Sequence, residues 1–262
     1  MEIVIIGTGN TATVLGKKLK LAGHQILQVL GRNESATQEL ATLLSSKAIS
    51  DFNEIDPGAE LYLLAVSDDS IEEVSKNLPV KDKILVHTAG AVSKNVLNNA
   101  SAHYGVLYPL QSLRKEMEPS TEVPLHVDAG DEETLEKIHA LAKSISTQVS
   151  ISDDEERMKL HVAAVFCNNF TNYMYTLAET YCKNENLAFD HLLPLIKETA
   201  YKLQYHSPSE MQTGPAMRGD QQTIQKHENL LSAYPAMQDV YRYLTRKINE
   251  DKSFKTGIKF SN

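Results

Sequence analysis

The chain opens MEIVIIGTGNTATVLGKKL. Four branched aliphatics, Ile3 to Ile6, extend a strand signal that starts at Glu2 and runs straight into Gly7-Thr8-Gly9-Asn10-Thr11-Ala12. From Thr11 to Ala22 the spacing of Val14, Leu15, Leu19 and Ala22 is that of a helix, and Gly23 stands just beyond it. A G-x-G-x-x-A turn held between a strand and a helix leaves few folds open. Gly7 permits the tight turn, Gly9 lets the backbone approach a pyrophosphate, and Ala12 is small enough for the helix to pack on the strand. The helix N-terminus then offers free N–H groups and a partial positive charge to an anion. Residues Gly7 to Ala12 are therefore expected to cradle the diphosphate of a dinucleotide.

The rest of the first half keeps this rhythm. Strand signals fall at Gln25–Leu30, Ala48–Ser50, Leu61–Val66, Lys83–His87, Val106–Tyr108, Leu125–Asp128 and Gln148–Ile151. Helical spacing falls at Ala36–Leu44, Ser70–Asn77 and Glu132–Ser144. LYLLAV, Leu61 to Val66, is an unbroken apolar run, as a strand buried on both faces should be. This order predicts an α/β fold with a Rossmann-type, mostly parallel sheet. After Ser152 only helical periodicity remains: His161–Lys183, Asp190–Tyr205 with Asp190 as N-cap, Asp220–Leu231, and Pro235–Asn249. The chain is thus read as a dinucleotide-binding domain over 1–152 and an all-α domain over 153–262, with a loose polar tail from Ser253 to Asn262.

Composition sets outer limits. The 262 residues carry a formal net charge of −8, which argues against a nucleic-acid partner, since such binding needs a basic surface. Cys167 and Cys182 fit no metal or redox spacing and are expected to be buried, reduced thiols of a cytoplasmic protein. No apolar run spans a membrane, no signal peptide is read at the N-terminus, and no metal site is expected.

The end of the second strand bears on the choice of cofactor. An NAD site usually places a carboxylate there to bind the ribose hydroxyls. Here the strand ends Leu30-Gly31-Arg32-Asn33, so a guanidinium stands where the acid would be. A carboxylate would repel a 2′-phosphate, whereas a guanidinium can grip one with two parallel bonds. Ser35 and Thr37 could add hydroxyl donors. The expected cofactor is NADP. Ligands of open parallel sheets lie beyond the carboxyl ends of the strands. That directs attention to Ala65-Val66-Ser67, where Asp68 would cap the next helix, and to His87-Thr88-Ala89-Gly90 near the nicotinamide. Tyr108 and Gln111 could point into the same cleft. His87 is read as a structural or cofactor-contact residue, with proton transfer as the alternative.

These motifs, followed by Thr213-Gly-Pro-Ala-Met-Arg218-Gly-Asp220-Gln-Gln-Thr223-Ile-Gln-Lys-His227, resemble the Rossmann-like NADP oxidoreductases with an uncharacterised helical C-terminal domain. That family is related to pyrroline-5-carboxylate reductase, prephenate dehydrogenase and the 6-phosphogluconate/β-hydroxyacid dehydrogenases. The resemblance covers nearly the whole chain and implies a fold and a cofactor more firmly than a substrate. Relatives often carry Ser at the position of Ala89 and His at that of Tyr108. The β-hydroxyacid dehydrogenase branch has a catalytic lysine four residues before an asparagine. Here Ala164 precedes Asn168 and Val165 precedes Asn169, so that mechanism does not transfer.

On the long helix, His161, Asn168 and Asn172 fall within about 40° of one another, with Tyr175 close by. This polar stripe is either substrate-facing, with His161 as proton donor, or a wetted helix edge. Arg218 is free to reach a carboxylate substrate, Asp220 reads as an N-cap, and His227 as a packed residue. The reading is an NADP(H)-dependent oxidoreductase moving a hydride to or from a small carbonyl or imine compound. Its candidate catalytic residues are His161, Arg218, Tyr108 and Asn168. The alternative is an NADP-binding regulatory or scaffold protein without turnover, which the missing lysine favours. The resemblance further implies a homodimer paired through the long helices.

Overall fold

A computed structural model of the protein describes residues 1–251, so the polar tail Ser253–Asn262 lies outside the described residues. The first half alternates as its spacing dictates. In order come β1 (Glu2–Ile6), α1 (Asn10–Leu21), β2 (Gln25–Leu30), α2 (Glu34–Leu44), β3 (Lys47–Ile49) and β4 (Leu61–Leu64). Then follow α3 (Ile71–Lys76), β5 (Ile84–His87), β6 (His103–Pro109), β7 (Leu125–Ala129), α4 (Glu132–Ile145) and β8 (Val149–Ile151). The strands form one sheet in the order β3-β2-β1-β4-β5-β6-β7-β8. Every neighbouring pair is parallel except β6 and β7, where Tyr108 lies opposite His126 and Pro109 opposite Leu125. The order reverses between β1 and β4, which opens a crevice at the carboxyl ends of those strands.

Strand period two sorts the core onto the two faces of the sheet. Ile3, Ile5, Leu61 and Leu63 pack with Leu15 and Leu19 of α1, Leu40 and Leu44 of α2, and Ile138 and Leu141 of α4. Val4, Ile6, Tyr62 and Leu64 pack on the other face with Ile71 of α3, Leu85 and Leu97. Leu15 and Leu63 are wholly buried, and each such side chain contributes about 2 kcal/mol over its exposed state. Leu63→Ala would lose that and leave a cavity, at about 3 kcal/mol in all. Helix starts are marked in the sequence: Asn33 Oδ1 accepts from the Ala36 N–H of α2, and Asp131 Oδ1 from the Thr134 N–H of α4.

After β8 the chain is helical. Asp153 caps α5 (Asp154–Ala164) by accepting from the Glu156 N–H at 2.8 Å. The helical run therefore starts seven residues ahead of the expected His161. It is also not uniform, because residues Val165–Phe170 form a π turn before α6 (Thr171–Asn184). The composition changes after β8, while the compact units divide inside this run, Met1–Thr171 forming one unit and the chain from Asn172 the other.

The second unit holds α6 beyond Thr171, α7 (Leu193–Lys202), α8 (Pro215–Arg218), α9 (Gln221–Leu230) and α10 (Pro235–Glu250). Asp220 caps α9 as expected, through the Thr223 N–H at 3.1 Å. Asp190 does not cap a helix: it lies inside a 3-10 turn, Phe189–Leu192, and α7 starts after it with Pro194 in its first turn, where a missing N–H costs nothing. Within the unit, Tyr181 meets Tyr234 edge-on at 5.2 Å, and His227 Nδ1 pairs with the Tyr241 hydroxyl at 2.9 Å. Cys182 is buried, but Cys167, on the π turn, is exposed, contrary to expectation. Among the described residues no helix is long and apolar enough to cross a membrane.

Candidate functional site

A cavity of about 460 Å³ opens at the carboxyl ends of β1, β2 and β4. Gly7 sits at its floor with φ +118°, a conformation that side chains other than glycine rarely adopt. A Cβ there would come within 2.2 Å of the Ala65 carbonyl oxygen, so β1 and β4 close on each other only over a glycine. Gly9 differs. It has ordinary extended backbone, and a Cβ would point into open space with nothing within 4 Å. No side chain caps α1 behind it, which leaves the first N–H groups of the helix to an incoming anion. An emptiness at Gly9, next to unclaimed helix donors, is what a diphosphate requires.

Gly31, Arg32 and Asn33 wall the cavity at the end of β2, and Ala65, Val66 and Ser67 wall it at the end of β4. Arg32 is exposed, without an ion-pair partner among the described residues. Ser35 is exposed on the first turn of α2, outside the lining of this cavity. Thr37 is not a free donor, since its buried hydroxyl donates to the Asn33 carbonyl at 2.7 Å. Asp68 does not cap the following helix; it begins a 3-10 turn, Asp68–Ser70, and α3 starts without a side-chain cap. Phe52, Glu73 and Asn77 also line the cavity, and sequence reasoning missed them because they lie on a connecting turn and a short helix without strand-end position.

A second cavity, about 550 Å³, adjoins the first: Gly9 and Ser67 wall one, Thr11 and Asp68 the other. It gathers three of the four candidate catalytic residues, Tyr108, His161 and Asn168, together with Thr88, Ala89 and Gly90. Tyr108 ends β6 beside Pro109, and its hydroxyl lies 3.0 Å from His161 Nδ1 on α5. The rings meet edge-on at 6.0 Å. Gly90 makes this contact possible, because a Cβ there would come within 2.8 Å of His161 Nδ1 and of two Tyr108 ring carbons. Asn168, on the π turn, donates through Nδ2 to the Ser112 hydroxyl and so ties the segment after β6 to the helical run.

Burial pushes the Tyr108 hydroxyl above its ordinary range, against the nearby Arg157 cation. His126 of β7 packs against the same ring at 6.4 Å and pairs through Nδ1 with the Ser152 hydroxyl at 2.7 Å. Burial keeps its imidazole below the usual range.

Four further expected residues line neither cavity. His87 is completely buried and lines neither cavity. Its Nδ1 accepts from the Ala89 N–H at 3.2 Å, and burial, aided by the Arg157 charge, drives it down to about 4. It is a neutral, buried residue beneath that turn. Asn10 is the exposed first residue of α1 and lines neither cavity, while Ala12 is fully buried against the sheet. Arg218 is exposed at the C-terminal end of α8 in the second unit, and Gly219 after it adopts the left-handed conformation that ends the helix.

Residues 2–90 match the family model for coenzyme F420-dependent NADP oxidoreductases, and residues 123–248 match a domain of unknown function, DUF2520. A putative NADP oxidoreductase from Bacteroides fragilis is 40% identical, with a TM-score of 0.90 over 95% of this chain and 98% of its own. Two more distant structures share the fold. A 1-pyrroline-5-carboxylate reductase from Streptococcus pyogenes is 17% identical, with a TM-score of 0.62 over 95% of this chain and 98% of its own. An imine reductase from Myxococcus stipitatus, solved in complex with NADP+, is 15% identical, with a TM-score of 0.66 over 96% of this chain and 94% of its own. No curated protein matches the sequence.

Proposed function

Because this chain belongs to the NADP oxidoreductase family that includes the Bacteroides fragilis protein, we propose that it reduces a small C=N or C=O compound, with Tyr108 and His161 delivering the proton. The observation that carries this reading is the 3.0 Å contact between those two groups in a cavity adjoining the glycine turn. When bound, the reduced nicotinamide supplies the hydride. Gly7, Thr8 and Gly9, with the free backbone N–H groups at the start of α1, receive the diphosphate. Gly31, Arg32 and Asn33, with Ser35 nearby, receive the 2′-phosphate side of the adenosine. Ala65, Val66 and Ser67 flank the ribose, and Thr88, Ala89 and Gly90 the nicotinamide end.

Tyr108 gives its phenolic proton to the substrate nitrogen or oxygen. His161, protonated at Nδ1, donates to the same hydroxyl oxygen and restores the proton afterwards. Asn168, held by Ser112, orients the substrate. Two structural relatives named for imine substrates, the pyrroline-5-carboxylate and imine reductases, support the C=N class ahead of the C=O class.

The protein works as a homodimer in the cytoplasm on this reading. Met158, Val162, Phe166 and Phe170 follow one another at four-residue spacing and are 41%, 52%, 64% and 50% exposed, an apolar stripe suited to a second copy. Two unpaired cysteines suit a reducing compartment. The test is consumption of NADPH with cyclic imines, aldehydes and keto acids. Turnover that falls at least about 100-fold in Tyr108→Phe, with NADPH affinity unchanged, supports the reading. Full activity in that variant, or no turnover of any compound by a protein that binds NADPH tightly, sinks it.

A further inference from the structure

Among the described residues the largest fully buried side chain is a cation that the proposed reaction does not use. Arg157 lies one helical turn before His161 on α5 and is 1% exposed. Its Nη2 donates to the Val92 carbonyl at 2.7 Å and to Asp154 Oδ1 at 2.6 Å, and Nη1 lies 3.9 Å from Asp128 Oδ2. Asp154 also accepts from the Lys94 N–H at 3.2 Å and from the Ser93 hydroxyl. Asp128, near the end of β7, accepts from Lys94 Nζ at 2.7 Å and from the Ala129 N–H at 2.8 Å.

Cations and carboxylates thus alternate across three pieces of chain: α5, β7 and the segment after β5. The same three pieces bear on the second cavity. The segment after β5 carries Thr88 to Gly90, α5 carries His161, and β7 carries His126. Stability alone is a poor reason to keep this arrangement. Buried ion pairs are matched or bettered by apolar residues of similar volume, and here the Nε and Nη1 donors of Arg157 have no hydrogen-bond partner. What an apolar side chain could not do is bond a loop carbonyl and a helix carboxylate with one rigid fork.

We propose that Arg157 is a positioning residue: by joining Val92 to Asp154 it seats Gly90 against α5 and keeps His161 Nδ1 within hydrogen-bond reach of Tyr108. Gly90 is the sensitive link. It lies two residues before Val92, and a Cβ on it would come within 2.8 Å of both rings. A small drift of the segment therefore reaches both partners of the 3.0 Å contact. The guanidinium also stands as a fixed positive charge that opposes burial at the Tyr108 hydroxyl.

The inference rests on Tyr108 and His161 being the proton source, and its test separates the two. Turnover of Tyr108→Phe judges the chemistry. The 15N resonances of the His161 ring, in the full-length protein labelled at histidine and assigned with His161→Gln, judge the positioning. Tyr108→Phe defines the signal of a ring without its partner. Arg157→Met should move His161 Nδ1 most of the way to that signal, and Arg157→Lys, which restores a donor and the charge, should recover part of the shift. Ser93→Ala trims one bond into Asp154 at a half-buried site and should move the signal the same way by less, so a misfolded Arg157→Met leaves the question open to Ser93→Ala. A His161 signal at its wild-type position in folded Arg157→Met, or in Ser93→Ala if the former does not fold, overturns the proposal.

Discussion

Gly9→Ala separates binding from folding at a single methyl group. Gly9 has φ −79° and ψ −172°, which alanine adopts without strain, and the added Cβ meets nothing within 4 Å. Alanine stiffens the unfolded chain, worth about 0.4–1 kcal/mol of stability, while losing a glycine cap costs a similar few tenths. The net change should stay within about 1 kcal/mol, or a shift of about 3 °C in Tm. The space the methyl enters is the space a diphosphate would fill. Crowding of that kind costs about 1–3 kcal/mol, so NADPH should bind about 5- to 150-fold more weakly. Calorimetric titration with NADPH and thermal unfolding of the same samples give both numbers. Gly7→Ala is the contrast: with φ +118° and a Cβ 2.2 Å from a backbone oxygen, it should lower Tm sharply. Wild-type affinity in a folded Gly9→Ala would mean that the diphosphate does not lie at this turn, and a collapse in Tm would mean that Gly9 serves the fold.

Other perturbations test other links. Arg32→Glu should weaken NADPH binding about 10- to 100-fold, the worth of one or two charge-assisted bonds, and leave NADH binding level or improved; calorimetry with both nucleotides decides it. Gly90→Ala places a methyl 2.8 Å from Tyr108 and His161, about 0.6 Å inside ordinary contact, and should cost about 1–3 kcal/mol in urea unfolding while breaking the bond between the two rings. His87 should make the fold acid-sensitive. Its folded pKa, about 4, lies below the 6.5 of an exposed imidazole, so between those values the unfolded chain binds a proton that the native one refuses. Stability present above pH 6.5 is then lost on acidification, by about 2 kcal/mol at pH 5, and His87→Gln should flatten that slope in urea titrations at both pH values.

The sheet was legible because its signals are local and repeated. Apolar runs such as LYLLAV and the glycine turn set most strand and helix positions of the first half to within a residue or two, although β6 starts three residues before the expected Val106, and Asp220 caps its helix start through a bond the chain makes with itself. The antiparallel pairing of β7 was not legible, since strand direction depends on partners far along the chain. Tyr108 and His161 were both visible as polar residues at a strand end and on a helix, but they meet across a sequence separation of 53. The π turn at Val165–Phe170 leaves no spacing signature, so the helix was read as uniform and Cys167 as buried. His87 shows the limit of strand-end reasoning. Its side chain follows the alternation of β5 onto the face shared by Leu85 and Leu97, beneath the crevice it was expected to line.

The reversal at β7 also decides how the chain comes back to its own chemistry. β7 and β8 run opposite to the other strands, so α5 begins beside β7, where Asp154 meets Ser93 and Lys94, and carries His161 to Tyr108. The seven residues from Asp154 to His161 climb about 10 Å, which makes the start of this helix a ruler with a fixed zero and a fixed mark. Adding or deleting one residue between Arg157 and His161 would swing the imidazole by about 100° and leave both ends anchored to the wrong neighbours. The length of that stretch is as constrained as the clamp at one end and the imidazole at the other.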